Sequence, residues 1–141
     1  MIWMLAIFLI ALAGVLMAII SRTRPRPTVP MEIITRAALE KLQGQPETPV
    51  VLANVSTILR RYMVWAFQLI PSERTTAELS AEMLANNRIG PELAQAISRL
   101  LLECDQRKFS AANPDAPLNA VNRALQVFLE LEKRRPPILV P

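Results

Sequence analysis

Two short stretches of this chain combine charge with aromatic or thiol chemistry. Arg60-Arg61 precedes Tyr62, and Glu103-Cys104-Asp105-Gln106-Arg107-Lys108-Phe109 sets both signs of charge around a thiol and a phenyl ring. Guanidinium groups hold carboxylates or phosphates through charge-assisted, two-point hydrogen bonds. Arg60, Arg61, Arg107 and Lys108 are therefore the candidate surface for an acidic partner. The competing reading of Arg60-Arg61 is the solvated side of an amphipathic helix. For the second stretch it is internal pairing along one helix, Asp105 with Lys108 or Glu103 with Arg107. Cys104 falls on an apolar stripe, which favours a packed thiol over a reactive one.

Little else in the sequence could carry a reaction. The chain has no His, which removes the commonest general base and a frequent metal ligand. Its one Cys cannot form an intramolecular disulfide, and its three Gly are too few and too scattered for a phosphate-cradling loop. The carboxylates are dispersed rather than clustered. No catalytic, cofactor-binding or metal-ligating residue is assigned, no cofactor is expected, and the residues argue against an enzyme.

What would position the candidate surface is an anchored helical domain. Ile2 to Ile20 is an unbroken apolar run of nineteen residues. As a helix it would extend roughly 28 Å, close to the ~30 Å hydrocarbon core of a bilayer. Trp3 suits an interface, and Arg22, Arg24 and Arg26 follow with no acid nearby, which favours a cytoplasmic location for that end. Residues 1–21 are thus predicted to be a transmembrane anchor with the N-terminus outside. A cleaved signal peptide is the alternative, because Ala11-Leu12-Ala13 resembles a cleavage site. No Lys or Arg precedes the run, however, and cleavage there would leave an apolar stub from Gly14 to Ile20.

The formal net charge of +4 is misleading until it is located. The three arginines of the 22–30 linker account for most of it, leaving +1 on residues 31–141. The basic pI therefore reports membrane topology rather than a nucleic-acid face.

Residues 31–135 read as an all-α domain of about five helices, with 136–141 an extended tail. The first helix follows Pro30 and runs to about Gln43, with Gly44 ending it. Ile33, Ile34, Ala37, Ala38, Leu39 and Leu42 are its expected inner positions, and Glu32, Arg36, Glu40 and Lys41 its solvated ones. Thr48-Pro49 should start a long central helix reaching about Ile70, apolar at Val51, Val55, Ile58, Leu59, Tyr62, Ala66 and Leu69. Thr75-Thr-Ala-Glu78 is a capping box for a short helix burying Leu79, Met83 and Leu84. A turn at Asn86 to Gly90 leads to a helix running to Phe109, with Leu93, Ala96, Ile97, Leu100, Leu101 and Cys104 inside. The last helix, Leu118 to about Arg135, should bury Leu118, Val121, Leu125, Phe128 and Leu129, with Asp115 available as its cap. The third and fourth helices have the outline of a helix-turn-helix DNA reader. Gly90-Pro-Glu-Leu-Ala-Gln-Ala96 gives the second of them few side chains for bases or phosphates, so nucleic acid is an unfavoured partner. The tail Ile138-Leu-Val140 could dock as a peptide, and a disordered end is the plainer alternative.

The order of a single span, an arginine-rich flank and Ala37-Ala-Leu-Glu-Lys-Leu42 continues with Val55-Ser-Thr-Ile-Leu-Arg-Arg-Tyr62. Glu73-Arg-Thr-Thr-Ala-Glu-Leu79 and Leu102-Glu-Cys-Asp-Gln-Arg-Lys-Phe-Ser110 follow. The whole resembles small bacterial single-pass membrane proteins encoded beside MoxR-type AAA+ ATPases and von Willebrand A-domain membrane proteins, and the cytoplasmic tails of Bat aerotolerance proteins. The resemblance implies an inner-membrane adaptor whose partner is a MoxR-type ATPase or a von Willebrand A-domain protein. Its motifs mark helices and caps, and no catalytic residue follows from it. A membrane-anchored DNA-binding regulator is the alternative function.

Overall fold

A computed structural model describes residues 29–70, 75–110 and 116–137. They form five α-helices: α1 (Met31–Leu42), α2 (Pro49–Phe67), α3 (Thr76–Ala85), α4 (Pro91–Phe109) and α5 (Ala120–Arg134). No strand occurs among the described residues, as expected for an all-α domain. The apolar run 2–20, with Arg22, Arg24 and Arg26, lies outside the described residues, as do Asp115 and the tail from Ile138. None of the described helices is long and apolar enough to cross a membrane.

Local chemistry starts and stops most of these helices. Thr48 Oγ1 accepts the Val51 backbone N–H at 3.3 Å, and Pro49 occupies the first turn of α2. The capping box of α3 is complete, with Thr75 and Glu78 exchanging side-chain to backbone hydrogen bonds. Gly90, just before α4, has φ +79° and ψ 154°, a region open essentially to glycine alone. At the other end of α2, Gln68 turns left-handed (φ 51°, ψ 40°) and stops the helix at Phe67, short of the expected Ile70.

The long α2 is the central element, packed against α1, α4 and α5, while α3 packs on α4 and α1 on α5. Val55, Leu59, Tyr62 and Met63 of α2 are fully buried together with Leu39, Met83, Ile97, Leu100, Leu101 and Leu131. The Tyr62 ring meets Phe128 edge to face, with centroids 4.9 Å apart and planes at 70°. Each large aliphatic side chain so buried contributes about 1.5–3 kcal/mol against chain entropy.

The packed faces differ from the expected ones at several positions. On α1 the inner face is Thr35, Leu39 and Leu42, with Met31 beside it, and Ile33, Ile34 and Ala37 face outward. Apolar residues wrap most of the way round this helix, so periodicity alone allowed either rotation. Among the described residues its helix contacts are with α2 and α5, and they bury one arc of it. Ala94 rather than Ala96 packs inside α4, while Leu84 and Leu129 are exposed instead of buried, and Ile70 and Phe109 are exposed as well. Phe109 is 87% exposed. The last helix begins at Ala120 and buries Ala120, Ala124, Val127 and Leu131 as well as Val121 and Phe128.

Candidate interaction surface

The four cationic residues of the candidate surface do not share one environment. Asp105 of α4 accepts Lys108 Nζ at 2.8 Å and Arg60 Nη2 of α2 at 3.4 Å, and it also receives the Thr76 hydroxyl at the start of α3. Arg60 in turn donates to Thr76 Oγ1. One carboxylate thus joins three helices through three donors. Burial pushes the Asp105 carboxyl up, but the hydrogen bonds from Lys108 and Thr76, with the Lys108 and Arg60 charges, outweigh it and hold it below its ordinary value of 3.8.

Arg107 turns toward the segment preceding α5. Its Nη1 donates to the Ala116 carbonyl at 2.9 Å and lies 3.9 Å from Glu47 Oε2. Arg61 is exposed on α2. The expected Asp105–Lys108 pair along α4 is present, whereas Glu103 bonds Arg123 of α5 rather than Arg107. Lys108 Nζ also sits 5.8 Å from the centroid of the exposed Phe109 ring. Of the candidate stretches, Arg61 on α2 and Phe109 at the end of α4 are exposed.

Glu47, in the α1–α2 loop, is a residue that sequence reasoning missed. Its two carboxylate oxygens accept the backbone N–H groups of Leu118 and Ala120, each at 2.7 Å. These are donors at the N-terminus of α5, where Asn119 is left-handed and offers no side-chain cap. A negative group there is favoured by the helix dipole as well as by the hydrogen bonds. The partners stand 71 and 73 residues apart, so no local pattern could announce the contact.

A second charged cluster lies where α1 begins and α5 ends. Arg135 Nη2 is 3.4 Å from Glu32 Oε1, its Nε is 3.5 Å from Glu132 Oε1, and its guanidinium stands 5.2 Å from the Trp65 ring centroid. Glu32 is therefore turned inward rather than solvated as expected. Its Oε2 and Glu132 Oε1 are buried without a hydrogen bond. Burial pushes the Glu132 carboxyl up, Arg135 pulls it down, and the Glu32 charge pushes it up again, leaving it above 4.5. Beside this cluster, Trp65, Asn86, Asn87, Arg88, Pro136 and Pro137 line a groove of about 870 Å³.

Cys104 is buried on α4, and burial pushes its thiol up to about 11, further from the thiolate that nucleophilic or metal chemistry needs. No group of acidic, thiol or imidazole side chains among the described residues is arranged to hold a metal ion. The α3–α4 pair expected of a helix-turn-helix is present, with Glu92 in the first turn of its second helix. An acid at that position opposes phosphate approach. Comparison with known protein families, characterised proteins and solved structures finds no match to this chain.

Proposed function

We propose that this chain is a membrane-tethered helical protein-interaction module rather than an enzyme. The observation that carries the reading is the apolar run 2–20 with its arginine flank, joined by a nine-residue linker to a packed all-α domain. The anchor lies in a bacterial inner membrane with the helices on the cytoplasmic side. Tethering confines the domain near other membrane proteins, and a short linker raises the effective concentration of a partner toward the millimolar range, on the order of what a weak helical surface requires. The partner proposed is a MoxR-type ATPase or a von Willebrand A-domain protein, in keeping with the resemblance of the helical segments.

The contact surface proposed uses the exposed Arg61 and Phe109, with Arg60 and Lys108 held at Asp105 and Arg107 turned toward Ala116. Arg60 and Lys108 also hold Asp105, so their substitution would disturb the domain along with the surface. Arg61→Glu and Phe109→Ala are the cleaner probes. In-cell crosslinking followed by recovery of the tagged full chain tests the reading. Co-recovery of a MoxR-type ATPase or von Willebrand A-domain protein, lost in the Arg61→Glu, Phe109→Ala double variant, supports it. Recovery of that partner undiminished by the double variant removes this surface. Recovery of specific DNA fragments in place of a protein replaces the reading with the regulator alternative.

A further inference from the structure

We propose that the outer face of α1 rests on the bilayer beside the anchor, with Val29, Ile33 and Ile34 at the boundary between headgroups and acyl chains. The inference depends on the membrane-anchor reading above. Val29 and Ile33 are each 55% exposed and Ile34 47%, although all three are apolar. Among the described residues α1 packs only on α2 and α5, and that contact is made by Thr35, Leu39 and Leu42. Ala37 extends the exposed strip, and Arg36 and Lys41 lie exposed beyond it.

The charge around the strip suits a lipid surface. Cations beside an apolar strip match the pattern of helices that lie in the membrane interface, where basic groups meet headgroup phosphates. The two acids of α1 that could oppose this are both engaged. Glu40 is paired with Arg36 Nε at 2.9 Å, which leaves Lys41 to supply the net positive charge beside the strip, and Glu32 is turned away toward Arg135, just past the end of α5. Arg22, Arg24 and Arg26 add three more cations on the approach to the helix.

Chain length supplies the second constraint. From Ile20, the end of the apolar run, to Val29 is nine residue steps. Even fully extended they span at most about 30 Å. The strip is the first part of the domain to emerge from the anchor, so the bilayer is the apolar phase always within its reach.

The test uses the full chain in nanodiscs of phosphatidylethanolamine and phosphatidylglycerol. Nitroxide labels are placed singly by Leu12→Cys, Ile34→Cys and Gln95→Cys, with Gln95 exposed on α4 as the water reference. The native Cys104 is buried and stays unlabelled at neutral pH. The expected result is preferential collision with oxygen over a water-soluble nickel chelate at both 12 and 34, and the reverse at 95. If 12 reports lipid while 34 behaves like 95, the α1 contact is overturned and the anchor stands. If 12 is itself open to nickel, the anchor reading falls and takes this inference with it. Dipolar broadening between labels at 34, with both reagents excluded, would make a second copy the occupant and overturn the lipid assignment.

Discussion

The Asp105 and Arg135 clusters use the same chemistry with opposite stoichiometry. At Asp105 one carboxylate receives Lys108, Arg60 and Thr76, and its ionised form is favoured despite burial. At Arg135 one guanidinium is divided between Glu32 and Glu132, both contacts are long, and Glu132 is held above its ordinary value. The number of donors per carboxylate decides the sign. A half-buried acid with several donors ties helices together, whereas two acids sharing one cation leave charge poorly compensated.

The largest expected effect follows from removing the well-donated acid. Asp105→Ala leaves Arg60, Lys108 and Thr76 without their shared acceptor and should cost about 2 kcal/mol in denaturant unfolding at pH 7. It should also speed labelling of Cys104 by a thiol reagent, because that side chain is released only when α4 opens. Arg135→Met keeps an apolar stem against Trp65 and should cost about 1 kcal/mol, with Cys104 labelling unchanged. Equal costs for the two substitutions would break the comparison.

The pH dependences sharpen it. Asp105 has a lowered folded-state pKa, so its contribution is fully present above 3.8 and is lost as pH falls through the lower folded value. Asp105→Asn should flatten that acid limb. Glu132 is raised, so the folded state binds more protons and stability declines as pH climbs from 4.5 through the raised value. Glu132→Gln should abolish this decline and, above that window, stabilise by a few tenths of a kcal/mol, on the order of a surface pair. Urea midpoints between pH 3 and pH 7 measure both slopes, and slopes of one sign would refute the stoichiometric account. Smallest of all is Tyr62→Phe. The Tyr62 hydroxyl is buried without a partner, so its loss should shift stability by less than about 0.5 kcal/mol in either direction.

Capping chemistry was the most legible part of the sequence because each cap involves residues three apart. Thr48 with Pro49 and Thr75 with Glu78 start α2 and α3 as their residue types require. The central role of α2 was also readable, since Val55, Leu59, Tyr62 and Ala66 repeat along one stripe. Legibility failed on α1, where Ile33 and Ile34 look like core and Thr35 does not. A helix apolar on several sides gives no phase, so only its neighbours choose which arc is buried. The candidate surface was legible as a set of cations and not as an arrangement. Arg60 and Lys108 converge on Asp105 while Arg107 departs toward Ala116.

The sequence alone determined which segments are helical, where local caps begin α2 and α3, and that an apolar run with an arginine flank precedes them. Those properties depend on neighbours within one or two turns, and short-range sterics and hydrogen bonding are written in residue order. Tertiary structure decided the rest. Only packing could bring Glu47 to the start of α5, divide Arg135 between Glu32 and Glu132, and turn Ile33 and Ile34 outward. Each of these depends on side chains from distant parts of the chain meeting once the helices have packed.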